Sequence, residues 1–276
     1  MKKLVWIVLL MLTVFLASCG TSDQEESADH GDHAENTETE KDASLYDDIM
    51  EEGVISVGTE GTYAPFTFHN EEDELTGYDV EVIKEVASRM GVEVDFQETQ
   101  WDSMFAGLNS ERFDLIANQV GINEDRLENY DFSIPYTVSS AVVVVPEDNT
   151  DITSFEDLEG KKSAQSLTSN FGAIAEEHGA ELVGVEGLAQ SMELIRQGRV
   201  DVTVNERLAV LDYLRQQPDA GMKIAAREED VSETAFAFRK GNEALVEAVN
   251  DQLEAMKEDG TLAEISEKWF GEDVSE

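Results

Sequence analysis

Cysteine is nearly absent from this chain. Cys19 is its only thiol, so no intramolecular disulfide can form. Proline is scarce, and Pro65, Pro135, Pro146 and Pro218 each mark a break in regular structure. Histidine is limited to His30, His33, His69 and His178. Only the last two fall in the part expected to fold, and no Ser/His/acid set or metal-ligand cluster stands out there. A typical membrane span is missing too. The apolar run at residues 4–16, broken by Thr13, is too short for one. Positive charge is the largest deficit: 19 Lys and Arg face 61 Asp and Glu, a formal net charge of −42. Nucleic acid and anionic lipid would both be repelled, so neither is an expected partner. Such a charge also repels itself at low ionic strength, which predicts a surface suited to high salt. At 276 residues the chain can bury a real core, as one large domain or two small lobes.

The short apolar run follows Lys2 and Lys3 and ends at Leu16-Ala17-Ser18-Cys19, a pattern that resembles a bacterial lipobox. Residues 1–18 are then a signal peptide, and the product begins at Cys19, lipidated on sulfur and anchored through acyl chains. Residues 19–44 are polar and acidic without apolar periodicity, which predicts a disordered tether. His30 and His33 lie in that tether. A flexible histidine pair lacks a fixed second shell, so no metal site is expected there.

Residues 54–90 organise the rest. Val54-Ile55-Ser56-Val57 reads as a buried strand. A glycine- and proline-marked break follows, carrying Glu60, Tyr63 and Phe66. From Asp79 the apolar positions Val80, Ile83, Val86, Ala87 and Met90 keep helical spacing, and Gly91 follows as a cap. A strand-end loop with acid, hydroxyl and aromatic groups suits a ligand. Strands and helices alternate onward, with strands near 92–96, 115–118, 141–145, 163–165, 182–185, 200–204 and 223–226. Helices are expected at 102–108, 188–197, 208–214, 243–258 and 262–269. The alternation implies parallel-rich sheets. An internal echo stands out: RFDLIAN at 112–118 parallels RVDVTVN at 199–205. Each copy follows a helix and ends a strand, so two equivalent strand ends should meet across a cleft. The chain should cross between lobes near 143–147 and return near 234–238. Lobe 1 is thus expected at 45–143 and 236–276, and lobe 2 at 144–235.

GTEGTYAPFTF at 58–68 and LTGYDVEV at 75–82 resemble the entry signature of bacterial extracellular solute-binding proteins for polar amino acids. Residues 101–136, AQSLTSNFG at 164–172 and DGTLAEISEKWFG at 259–271 extend the likeness, which leans to the cystine-binding branch. The resemblance implies an α/β fold of the periplasmic-binding-protein type II. Two lobes would be joined by two hinge crossovers, with the ligand cleft between them. It also implies a monomeric receptor without cofactor that delivers a polar amino acid, cystine in this branch, to an ABC permease. The receptor would face the extracellular side of the cell membrane, or the periplasm where an outer membrane exists.

The ligand's groups set the partners. Arg126, with the amide of Gly121, suits the carboxylate. Thr168 and Ser169 add hydroxyls and backbone N–H groups at a helix start. Glu206 and the carbonyl of Gln119 suit the ammonium, and Tyr63, Phe66 and Trp101 supply flat walls. The resemblance assigns the same roles. It departs at Glu206, where the family usually carries Asp, so Asn205 or a water is left to share the contact. It departs again at Gln165, where many relatives carry Lys or Arg, which argues against an acidic ligand side chain. Two alternatives stand beside this reading: a dehydratase of the same fold acting on a cyclic amino-acid precursor, and a metal-ion receptor built on His30 and His33.

Overall fold

The computed structural model of the protein describes residues 44–275. The expected leader, Cys19, His30, His33 and the tether up to residue 43 lie outside the described residues. Ser44 caps the first helix, α1 (Leu45–Glu52), accepting the amide of Asp47 while Asp47 accepts the amide of Ser44. Strand β1 (Val54–Thr59) leads into a small antiparallel ribbon of β2 (Thr62–Tyr63), β3 (Thr67–His69) and β4 (Leu75–Thr76). Helix α2 (Tyr78–Met90) buries Val80, Ile83, Val86 and Ala87, as the spacing predicts, and stops at Gly91 in the left-handed region. Next come β5 (Glu93–Glu98), α3 (Trp101–Asn109), β6 (Leu115–Gly121), α4 (Glu124–Asn129), β7 (Tyr130–Phe132) and β8 (Thr137–Ser139). Strand β7 forms in a stretch that reads as irregular in the sequence.

The second lobe contains β9 (Ala141–Pro146), a 3-10 turn at Phe155–Leu158, β10 (Lys162–Gln165), α5 (Asn170–Glu177), β11 (Glu181–Gly184), α6 (Leu188–Arg196), β12 (Thr203–Glu206), α7 (Arg207–Gln216) and β13 (Met222–Arg227). The chain then returns through β14 (Ser232–Arg239) and finishes with α8 (Glu243–Asp259) and α9 (Thr261–Phe270).

The first lobe centres on a sheet of order β5-β1-β6-β14-β7, with β8 also on β14. Its β5, β1 and β6 are parallel, and β14 runs against β6, β7 and β8. The second lobe differs from the parallel-rich expectation. Its β12-β9-β13 sheet is antiparallel, while β10 pairs in parallel with β11 and, through a Ser163–Val202 bridge, with the segment that leads into β12. The reason is directional. Strand β9 runs away from the first lobe, whereas β12 and β13 run back, so Glu206 and Arg227 sit opposite Ala141 and Val142. The crossing expected near 143–147 falls inside β9, which is bonded on both edges, and Ser140 is the residue between β8 and β9. The return expected near 234–238 likewise falls inside β14, already paired to β6 and β7.

Side-chain alternation along β9 places Val142 and Val144 in one core and Val143 and Val145 in another. In the first lobe, Met104, Leu108 and Phe113 pack under β6. Gly58 has no room for a side chain there, since a Cβ would lie 2.5 Å from the Phe113 ring. That close approach holds the end of β1, and hence the loop from Glu60, against the turn that feeds β6.

Candidate functional site

The two echoed strands end at one cleft. Asn118, near the end of β6, and Asn205, near the end of β12, both line it. The cleft holds about 470 Å³ of empty space. Of the residues the sequence singles out, Glu60, Tyr63, Trp101, Gln119 and Ser169 line it as well.

The loop after β1 is locked to β6 by hydrogen bonds. Thr59 Oγ1 donates to Ala117 O at 3.0 Å, and the Glu60 amide donates to Asn118 Oδ1 at 2.8 Å. Asn118 Nδ2 donates back to Glu60 Oε2 at 2.6 Å. Burial pushes the Glu60 carboxyl up to about 7, against the lowering effect of the Asn118 bond. Tyr63 is pushed well above its ordinary range by burial and by the charges of Glu206, Glu60 and Asp79.

Arg126 gives the opposite charge. Asn123 caps α4 by accepting the Arg126 amide, which fixes where the arginine leaves the helix. Its side chain is buried, donates from Nη1 to Gly121 O at 2.8 Å, and stacks 5.3 Å from both Trp101 and Phe105. Burial pulls its guanidinium down to about 10. Among the described residues no carboxylate forms an ion pair with it. Removing a cation from water costs several kcal/mol, while a cation–π contact returns about 0.5–2 kcal/mol. An anion arriving here relieves the difference. Gly121 turns its bare side across the cleft: a Cβ there would lie 3.5 Å from Asn170 Nδ2 and 3.8 Å from Arg126 Nη1.

The remaining predicted residues separate into distinct positions. Ser169 caps α5 through the amide of Gly172, so the start of that helix faces the cleft. Thr168 binds across the lobes, its amide and hydroxyl both donating to Asp102 Oδ1 at 3.2 and 2.7 Å. Glu206 is buried at the N-cap of α7. One oxygen accepts the Ala209 amide at 2.8 Å and the other accepts the Ser139 hydroxyl, beside the crossing between lobes. Burial raises its carboxyl to about 7. Glu206 does not line the cleft; its neighbour Asn205 does, accepting a 2.8 Å bond from Tyr63 Oη of the other lobe.

Arg126, Gly121 and Thr168 do not line the cleft either, and two further placements depart from the sequence reading. Phe66 is not a cleft wall; it is fully buried among Tyr63, Tyr78 and Phe270, because the break after Tyr63 turns its ring into the first-lobe core. Gln165 is buried in β10 and donates to Ser163 Oγ at 2.8 Å, so it faces the interior of its own lobe. The sequence reading also missed Asn118, Asn170, Leu188 and Ser191 as lining residues. Asn118 had a signal in the echo, whose last position is asparagine in both copies. The others lie at helix starts that only tertiary packing brings to the cleft.

Comparison with known proteins follows this geometry. The model of the bacterial extracellular solute-binding proteins, family 3, matches residues 55–272. The L-cystine-binding protein TcyA of Bacillus subtilis is 53% identical, over the full length of both chains. The L-cystine solute receptor of Neisseria gonorrhoeae, in its unliganded open conformation, is 49% identical with a TM-score of 0.57, over 84% of this chain and 99% of that one. An ancestral arginine-binding protein bound to arginine is 36% identical, yet superposes at 0.75, over 79% of this chain and 99% of that one. The more identical chain superposes less well, and it is the open one. In the arrangement described here the Tyr63–Asn205 and Asp102–Thr168 bonds join the two lobes.

Proposed function

Because the chain belongs to the bacterial extracellular solute-binding proteins, family 3, we propose that it captures L-cystine between its lobes and hands it to the permease of an ABC importer. It is a solute-binding protein rather than an enzyme, and proteins of this family work outside the cytoplasm, extracellularly or in the periplasm. The observation that carries the ligand reading is the charge layout of the cleft. A buried arginine without a carboxylate partner lies behind Trp101, which lines the cleft, and the buried carboxyl of Glu60 lines the cleft itself, offering opposite charges to the two ends of an amino acid. Arg126 and the Gly121 amide take the carboxylate, helped by the start of α5 at Ser169 and Asn170. Glu60, Gln119 and Asn205 provide the acceptors for ammonium groups, with Glu206 behind Asn205 and with Tyr63 and Trp101 as walls. Cystine carries two ammonium groups, which suits an acid-rich site, and the cystine-binding relatives named above support that choice.

The receptor acts as a monomer, held at the membrane by acyl chains on Cys19. The Leu16-Ala17-Ser18-Cys19 pattern supports the anchor, and among the described residues no helix is long and apolar enough to cross a membrane. Labelling cells with a fatty-acid probe tests it, with label expected on wild type and absent from Cys19→Ala. A thermal-shift panel of amino acids tests the ligand. L-cystine should raise the melting temperature more than L-cysteine, L-arginine or L-glutamine. A larger shift with one of those three would reassign the cleft.

A further inference from the structure

Asp79 is a fully buried carboxylate that no part of the proposed binding scheme uses. It stands in the first turn of α2, and its oxygens face the end of β6. Oδ2 accepts the backbone amide of Gln119 at 2.6 Å and the hydroxyl of Tyr136 at 3.1 Å. Oδ1 accepts Gln119 Nε2 at 2.7 Å. One carboxylate therefore takes both the main-chain and the side-chain N–H groups of a single residue.

That residue is unusual in two ways. Gln119 has φ 50°, a left-handed conformation that a side chain disfavours, and it sits inside a strand. Strand β6 bulges here: Val120 pairs with Ala235 and Ile116 with Ala237, so residues 117–119 stand opposite Phe236 alone and the ladder does not supply the Gln119 amide with its partner. Asp79 does. Gln119 Oε1, in contrast, is buried with no hydrogen-bond partner, in a residue that lines the cleft. The amide orientation is forced. Nε2 lies between two acceptors, Asp79 Oδ1 and Thr137 Oγ1, the latter at 3.2 Å. The flipped amide would set a carbonyl oxygen against a carboxylate.

We infer that Asp79 is a positioning residue for ligand recognition: it holds Gln119 so that the amide oxygen Oε1 is presented to an ammonium group of the ligand. Asp79 itself does not touch the ligand. This assignment rests on the amino-acid reading of the cleft and deepens it. A buried acceptor without a partner is costly, and an ammonium donor satisfies it. The amide's own dipole is fixed by a charge, so the acceptor is preorganised before the ligand arrives.

The test is a swap. In Asp79→Asn one acceptor becomes a donor, the Gln119 amide loses its anchor, and its NH2 is free to turn to the cleft. L-cystine affinity should fall by about ten-fold or more. In Gln119→Glu two carboxylates face each other, and affinity should fall comparably. The double variant Asp79→Asn/Gln119→Glu restores a donor–acceptor pair with a carboxylate oxygen toward the cleft, so affinity should return to within about three-fold of wild type. A residue that merely supported the core would give no such rescue. Wild-type affinity in folded Asp79→Asn, or a double variant no better than the singles, overturns the assignment. A second readout needs no ligand. In isotope-labelled free protein, the Gln119 side-chain amide should exchange with solvent far more slowly than the exposed glutamines, and Asp79→Asn should abolish that protection. Fast exchange in wild type overturns the assignment even if Asp79→Asn does not fold. Failure of wild type to bind L-cystine, with the protection intact, would instead count against the ligand reading alone.

Discussion

Glu60 and Glu206 both have carboxyls raised to about 7, in each case chiefly by burial, and Asp79 behind them is raised to about 7 as well. In the free protein these groups bind protons more tightly than in the unfolded chain, whose glutamates titrate near 4.5 and aspartates near 3.8. Between about pH 4.5 and 7 the folded state therefore holds the extra protons, and stability from these groups falls as pH rises through that window. Ligand binding runs the other way. An ammonium beside Glu60 favours the ionised carboxylate, so binding near pH 6 should release protons and L-cystine affinity should rise from pH 5 to 7.5. Calorimetry in buffers of different ionisation enthalpy measures this, and a heat that does not depend on the buffer would contradict it. At this scale the sequence was partly legible. Residue type and position brought Glu60, Tyr63, Trp101, Gln119 and Ser169 to the cleft. It did not reveal that Phe66 turns inward, because an aromatic in a loop reads alike whether it meets ligand or core. Nor did it reveal that Glu206 is taken up by the Ser139 hydroxyl and the start of α7.

Among the elements, the helices were the most legible. α2, α6, α8 and α9 lie within a few residues of their expected spans, because apolar spacing and glycine caps are local signals. Strand direction was not legible. Periodicity reports which face of a strand is buried and says nothing about its neighbour, so the antiparallel β12-β9-β13 sheet read as parallel. The stretches where the crossings are expected fall within β9 and β14, which are paired there as ladder strands. The segment joining β10 to α5 carries a feature absent from any pattern, the bonds from Thr168 to Asp102 at the start of α3. Asp102→Ala removes that clasp without touching a cleft-lining residue. An exposed bond to a charged group contributes about 1 kcal/mol to holding the lobes together, so L-cystine affinity should weaken roughly five-fold. The change should appear in the dissociation rate, measurable by stopped-flow fluorescence of the tryptophans. An unchanged dissociation rate would show that the clasp does not hold the lobes.

For the whole molecule, charge dominates. A net charge of −42 repels itself, and counterions screen that repulsion over about 10 Å at 0.1 M salt. The melting temperature should rise as potassium or sodium chloride is added. A flat or falling curve would remove the salt role of the acidic surface. Against this negative field, Arg126 is buried behind Trp101 and free of any acid partner among the described residues, and capture of the ligand carboxylate depends on that cation. It was legible in the sequence only as an arginine one short turn beyond a strand end; its burial and its stacking on Trp101 and Phe105 emerge from the packing. The most direct measurement is isothermal titration of L-cystine into wild type and Arg126→Ala, with folding verified by circular dichroism. Leaving the ligand carboxylate unpaired costs about 2–5 kcal/mol, so saturable one-to-one binding in wild type should weaken about 30-fold to several thousand-fold in the variant. Equal affinity in the two folded proteins would contradict capture of the amino acid by this arginine.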